Sequence, residues 1–244
     1  MSEKSAGRHR ARFAATPEDR RRAQALRALR FRPAQEAAEA DADAFDARAL
    51  HLLVEEAATG RLVACCRLTR FADGSRIAAS YSAQFYGLGR LARHPGPLLE
   101  LGRFCVAEGE ADGAALRVAW HAIAAHVEAE GVALVFGCSS FAGTDASAYA
   151  DAFALLGDRH LAPPRWLPRV KAPAVVRFAR RLRPFDPLAA MRAMPPLLRS
   201  YLAMGGWVSD HAVIDRDLGT LHVFTGLETR AVPAARRRAL LACA

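Results

Sequence analysis

The stretch Glu100-Leu101-Gly102-Arg103-Phe104-Cys105-Val106 sets a carboxylate and a guanidinium three residues apart in an otherwise apolar run. Burying either charge alone is expensive, so a strand that carries both needs neighbours that neutralise them or a reaction that uses them. Arg67 and the acid pair Asp43 and Asp46 are the candidates for completing such a group. Two readings stay open at this point: an ion-pair network that holds a loop to a sheet, or a carboxylate at work as a general base. A covalent route is not expected, because Cys138-Ser139-Ser140 lacks the G-x-S-x-G turn that exposes a nucleophilic serine.

The elements that must position these residues can be read from pattern. Thr16-Pro17-Glu18-Asp19 supplies an N-cap, a proline for the first turn and two acids, which predicts a helix ending before Pro33. The acidic segment from Glu36 to Arg48 reads as a loop or short helix. His51 to Glu55 and Arg61 to Leu68, on either side of Thr59-Gly60, predict a β-hairpin, and Leu98 to Val106 a buried strand. Apolar positions Leu116, Trp120, Ile123 and Val127 predict a helix between Gly113 and Gly131, followed by a strand over Val132 to Cys138. Strand, helix, strand in that order makes a crossover unit. Further helices are predicted over Ala146 to His160 and over Pro187 to Met204 with a break at Pro195-Pro196, and a last hairpin turns at Asp217-Leu218-Gly219. The first fifteen residues read as a solvated basic tail.

With 52% hydrophobic and 24% charged residues in 244, the chain has material for a substantial core. No run is apolar enough to span a bilayer, and the N-terminus lacks a secretory apolar segment. Five cysteines without metal-ligand spacing read as reduced thiols packed as small hydrophobes, and no metal site is expected. A net charge of +9 attracts anionic partners. Nucleic acid is the weaker choice among them: the arginines are scattered and no aromatic stacking platform accompanies them. The segment from Val175 to Arg183, which alternates apolar residues with Arg177, Arg180, Arg181 and Arg183, suits an acidic protein helix or an anionic lipid surface.

Arg27 with Phe31, Asp43 with Asp46, Arg67, and Glu100-x-x-Arg103-Phe104-x-Val106 together resemble the pattern of acyl-homoserine lactone synthases in the GNAT superfamily. The tryptophan usual after that phenylalanine is missing; Pro33, Ala34 and Gln35 stand there. A longer resemblance, over residues 12 to 235, is to the ornithine N-acyltransferases that make lyso-ornithine lipid. It rests on Tyr81-Ser82-Ala83-Gln84-Phe85-Tyr86, Leu99 to Arg103, Phe136-Gly137-Cys138-Ser139-Ser140-Phe141, Gly143-Thr144-Asp145, His160 to Pro164, Met194 to Leu198, Gly205-Gly206-Trp207-Val208 and Asp217 to Phe224.

That resemblance implies a GNAT-like acyltransferase fold, an α+β or α-β-α sandwich with a mixed, mostly antiparallel central sheet flanked by helices. It implies one such domain over 16–244, with a family-specific portion from about residue 160. It implies transfer of a 3-hydroxyacyl chain from acyl carrier protein to the α-amine of ornithine, and Glu100 and Arg103 as catalytic residues. Arg27, Phe31, Asp43, Asp46, Arg67, Phe104, Ser139 and Ser140 are expected to bind substrates, with backbone amides around Phe104 to Val106 facing the oxyanion. No cofactor is expected to stay bound, because the acyl-phosphopantetheine arrives on its carrier. Many acetyl-coenzyme A enzymes of the superfamily grip a pyrophosphate with glycines where a strand meets a helix. Here Glu110-Ala111-Asp112-Gly113 puts two acids at that place, which favours the single phosphodiester of a carrier-borne arm. A cytoplasmic enzyme resting on the inner membrane face is the expectation, and a lactone synthase consuming S-adenosylmethionine is the enzymatic alternative.

Overall fold

The structure is a computed structural model that describes residues 4–32, 40–110, 113–180 and 183–242. In chain order its elements are β1 (Lys4–Ala6), β2 (His9–Phe13), α1 (Pro17–Phe31), β3 (Leu50–Glu56), β4 (Leu62–Phe71), β5 (Tyr86–Gly87), β6 (Leu98–Val106), α2 (Ala114–Ala129) and β7 (Leu134–Ala142). There follow α3 (Ala150–Arg159), β8 (Arg169–Val170), β9 (Val175–Val176), α4 (Pro187–Ala193), α5 (Pro196–Ala203), β10 (Trp207–Asp215), β11 (Thr220–Glu228) and α6 (Ala234–Ala242). The chain divides into two compact units.

The first unit comprises the chain through Arg70, Leu99–Gly131 and the segment from Ala234 on. Its strands lie in the order β1, β2, β3, β4, β6. Helix α1 begins where a capping box closes: the Thr16 hydroxyl accepts from Asp19 N and the Asp19 carboxylate accepts from Thr16 N. Ala23, Leu26 and Ala28 on α1 face the sheet with Arg27 among them, while α2 packs on β2 and β3. Leu53, Cys65 and Cys105 meet Ala23 and Leu26 in the core. Each fully buried leucine there contributes about 2 kcal/mol. Cys65, Cys66 and Cys105 are buried, as expected of packed thiols, and Cys243 lies outside the described residues.

The basic tail expected over residues 1–15 is corrected from Lys4 onward. Strand β2 pairs antiparallel with β3, Ala11 opposite Val54, and β1 pairs with β2. The cause is Glu55, a carboxylate buried in β3 that requires cations. Arg10 and Arg12, two apart and therefore on one face of β2, supply them with Arg22: Arg12 Nε donates to Glu55 at 3.0 Å and Arg22 at 2.8 Å. Burial alone would raise the Glu55 carboxyl, and the arginines outweigh it and hold it below its usual range.

The second unit, Phe71–Leu98 with Val132–Pro233, is built on strands in the order β7, β11, β10, β9, all antiparallel. Strands β7 and β11 stay in register from Leu134 opposite Glu228 to Ala142 opposite Thr220. One face packs Phe136, Phe224 and Trp207 as a stacked row at 5.8 and 5.9 Å. Gly226 is required here, since a Cβ would stand 2.4 Å from the Trp207 ring. The other face packs Phe153 and Leu156 of α3 with Ala190 of α4 and Leu198 of α5. The prolines part α4 from α5 as expected, and the last hairpin extends over nine residues on each side.

Candidate active site

Strand β6 carries Glu100 with only 4% of its surface exposed. Immediately after it the strand loosens. Gly102, Arg103 and Phe104 are half-buried, and the space a Cβ would take at Gly102 is empty. Arg103 adopts φ 52°, the left-handed region that a residue with a Cβ enters at a cost of about 1–3 kcal/mol. Such strain persists only where neighbours hold it.

The neighbours are three aspartates on the loop before β3. Arg103 Nε donates to Asp41 at 2.8 Å, and its Nη2 lies 3.5 Å from Asp43. Arg27, 1% exposed on the inner face of α1, donates to Asp41 at 2.9 Å and to Asp46 at 2.7 Å. Arg67 on β4 donates to Asp43 at 2.5 Å and to Asp46 at 2.8 Å. Three guanidiniums face three carboxylates here, and Arg32 adds a fourth cation at Asp41. They tie α1, the 41–46 loop, β4 and β6 together. Phe31 lies under the Arg103 guanidinium at 5.9 Å and Phe45 under Arg67 at 5.6 Å, which adds cation–π attraction.

The electrostatics follow from that geometry. Burial pushes the Asp41 carboxyl up, but Arg103 and Arg27 prevail and hold it below the usual range. Asp46 is likewise pushed up by burial and held low by Arg27, Gln24 and Arg67. Burial would lower Arg27, and Asp46 and Asp41 raise it instead. Every oxygen of Asp46 is engaged from within the chain: Oδ1 by Arg27 and Arg67, Oδ2 by Gln24 at 2.9 Å and by the Asp43 amide at 3.2 Å. Its backbone carbonyl lies 3.2 Å from His51 Nε2. Asp43 is the acid of the three with a side chain open to solvent, at 23%.

Arg27, Phe31, Asp43, Asp46, Arg67 and Arg103 are thus brought together. Three members of the network carry no role in the sequence reading: Asp41, Gln24 and Arg32, whose Nε is 3.3 Å from Asp41. Gln24 stands three residues before Arg27, on the same helix face, and that spacing is a signal the sequence does hold. In the other unit the buried Ser139 hydroxyl accepts from Thr225 Oγ1 at 2.9 Å, and the adjacent Ser140 is exposed. Arg177, Arg180 and Arg183 are exposed, and Arg181 lies outside the described residues. Among the described residues no group of His, Cys, Asp and Glu is arranged to hold a metal ion.

The acids before α2 need a revised description. Glu110 does not project as a free charge: Arg61 Nη2 reaches its carboxylate at 2.5 Å, and His9 lies at 3.4 Å. Ala111 and Asp112 lie outside the described residues, and Gly113, at φ 70°, leads into α2. Repulsion of a pyrophosphate by Glu110 is therefore weaker than its position in the sequence implies.

Residues 25–121, which include Arg27, Asp41, Asp43, Asp46, Arg67, Glu100 and Arg103, match the model of the acetyltransferase (GNAT) domain family. This bears out the GNAT acyltransferase fold, with its mixed, mostly antiparallel sheet flanked by helices. A Rhodobacter capsulatus protein named L-ornithine N(alpha)-acyltransferase is 35% identical over 202 residues, covering 81% of this chain and 78% of that one. A protein of the same name from Rhizobium meliloti is 32% identical over 192 residues, 75% of this chain and 64% of its own length. Among solved structures, the acyl-homoserine lactone synthase LasI aligns over 96% of this chain and 95% of its own, at 14% identity and a TM-score of 0.47. That likeness is too distant to carry an argument about function.

Proposed function

The chain belongs to the L-ornithine N(alpha)-acyltransferase family and is an acyltransferase, and from that premise we propose that it moves a 3-hydroxyacyl group from acyl carrier protein to the α-amine of L-ornithine. The product is lyso-ornithine lipid, so the reaction opens ornithine-lipid synthesis. The observation that carries the chemistry is Glu100, buried in β6 directly before the empty space at Gly102 and the left-handed turn at Arg103.

In the proposed reaction the free α-amine nitrogen attacks the thioester carbonyl, a C–N bond forms, the C–S bond breaks, and the pantetheine sulfur leaves as a thiol with the proton that the attacking nitrogen sheds. An ornithine amine is mostly protonated near neutrality. Glu100 takes its proton, directly or through one water. Backbone amides between Phe104 and Val106 face the tetrahedral oxyanion, an interaction worth about 3–4 kcal/mol per aligned donor. Asp43, the open member of the acid trio, meets the side-chain ammonium, and Arg103, half-buried beside it, meets the carboxylate. Arg27, Arg67 and Asp46 hold that pair in place. Phe31 and Phe104 wall the acceptor.

The acyl-phosphopantetheine is a substrate here, carried by an acidic protein to a chain of net charge +9. No helix among the described residues is long and apolar enough to cross a membrane, and the lipidic product calls for peripheral contact with the inner face of the cytoplasmic membrane. The test is incubation of purified protein with 3-hydroxyacyl carrier protein and single amino acids, with mass spectrometry of the lipid. An N-acylated ornithine is the expected product. Consumption of S-adenosylmethionine with lactone release would overturn the assignment.

A further inference from the structure

A second site lies in the 71–98 and 132–233 unit, on the side of α3 that faces the segment after β9. Ala150, Phe153 and Ala154 from α3, with Val176 and Phe178 from the facing segment, line a cleft of about 510 Å³. Its floor is apolar: the Phe153 and Phe178 rings stack at 5.1 Å with planes 9° apart. Its rim is cationic, formed by Arg177, Arg180 and Arg183. The rim charges are not equally committed. Asp151 takes Arg183 at 2.6 Å, and Asp210 senses Arg177. Arg180 has no carboxylate within ion-pair distance among the described residues.

An apolar floor beneath arginines fits one kind of ligand, an anionic head on a hydrocarbon chain. Guanidiniums take phosphate oxygens in paired hydrogen bonds, and the stacked phenylalanines take the first methylenes. The volume falls in the range of sites that enclose a small molecule. The acidic helix of a protein partner, by contrast, needs a flat or shallow basic face and gains little from a recess. Helix α4, which packs on α3, leaves Leu188 70% exposed and Met191 41% exposed. Large apolar side chains of this kind enter the interfacial layer of a bilayer.

We propose that this cleft receives the phosphate head and upper chain of an anionic phospholipid, and that through it the protein is fixed to an anionic bilayer. The site gives the membrane contact of the proposed function its residues. Binding is read without turnover, so loss of the lipid site and loss of the transfer assignment are told apart.

The experiment is flotation of the full chain with vesicles of phosphatidylglycerol in phosphatidylcholine, beside vesicles of phosphatidylcholine alone. Glycerol 3-phosphate serves as the soluble-phosphate arm. The expected result is binding to the anionic vesicles alone, little competition by glycerol 3-phosphate, and binding weaker by about thirtyfold or more for R177E/R180E, which removes two cations from the anionic surface. Ala150→Trp, which fills the cleft and keeps every arginine, is expected to weaken binding as well, with melting curves confirming that both variants fold. Undiminished binding by folded Ala150→Trp would overturn the cleft, leaving only diffuse charge attraction. Equal competition by glycerol 3-phosphate, or binding to an acidic carrier protein but not to vesicles with loss in the same variants, would overturn the lipid assignment.

Discussion

Asp41 holds the Arg103 guanidinium at 2.8 Å and so anchors the left-handed turn of β6 to the loop before β3. The same oxygen accepts from Arg27 Nε at 2.9 Å, so one buried carboxylate serves a helix and a strand. Removing one partner of a buried ion pair leaves the others uncompensated, at about 3–5 kcal/mol. Asp41→Asn is therefore expected to lower Tm by roughly 10 °C, at about 2–4 °C per kcal/mol for a chain of this size. A melting curve matching the wild type would show that the carboxylate is not what holds the turn.

Asp43 and Asp46 separate under substitution. Asp46 has its oxygens filled from within the chain, whereas Asp43 is 23% open. Asp43→Ala is expected to raise the ornithine KM by about tenfold or more, the worth of one charge-assisted contact, with a smaller fall in Tm than Asp46→Ala, because Arg67 keeps Asp46 and Arg103 keeps Asp41 as a partner. Asp46→Ala is expected to act on Tm first. An ornithine KM that stays constant in Asp43→Ala removes that residue from acceptor binding.

Much of the fold is legible in local signals. The Thr16 cap, the Thr59-Gly60 turn and the prolines between α4 and α5 act within a few residues and are found where they are expected. The basic segment at Arg10 and Arg12 fails that test because its partner, Glu55, lies 43 residues away and only the paired strands bring them together. The site divides in the same way. Arg103 and Glu100 are conspicuous as charges in an apolar strand. Asp41 is one acid among several in an alanine-rich loop, and nothing in its neighbourhood announces that two arginines from distant elements converge on it.

Acid lability should arrive in two stages. Burial lowers His222 from its usual 6.5 to about 4 in the folded protein, and Tyr86 Oη donates to its carbonyl at 2.8 Å. The unfolded chain then binds the extra proton, so stability is complete above about 6.5 and declines as pH falls towards 4. Asp41 and Asp46, held low by arginines, contribute stability that is complete above their ordinary carboxylate range and declines only below about pH 4. Melting temperatures followed from pH 8 to pH 3 are expected to fall gently and then steeply. His51, His94, His126 and His160 are lowered by burial as well and share the first limb, so His222→Gln should make that limb shallower and leave the second as it is; a first limb unaltered by that substitution would assign it to the other histidines.

Glu100 is the residue on which base catalysis and mere positioning give opposite kinetics. Glu100→Gln keeps the shape and one acceptor oxygen but cannot carry a proton away from the α-ammonium. If the carboxylate is the base, kcat falls by about 10²–10⁴ with little change in ornithine KM, because the lost interaction is with the moving proton and not with the bound ground state. Raising the pH enlarges the fraction of ornithine already present as free amine, so the variant should recover part of its rate as pH climbs and the wild type should gain much less. A rise in KM at constant kcat is the contrary outcome. It would mean that Glu100, buried as it is beside the turn at Arg103, holds the ammonium in place while solvent takes the proton.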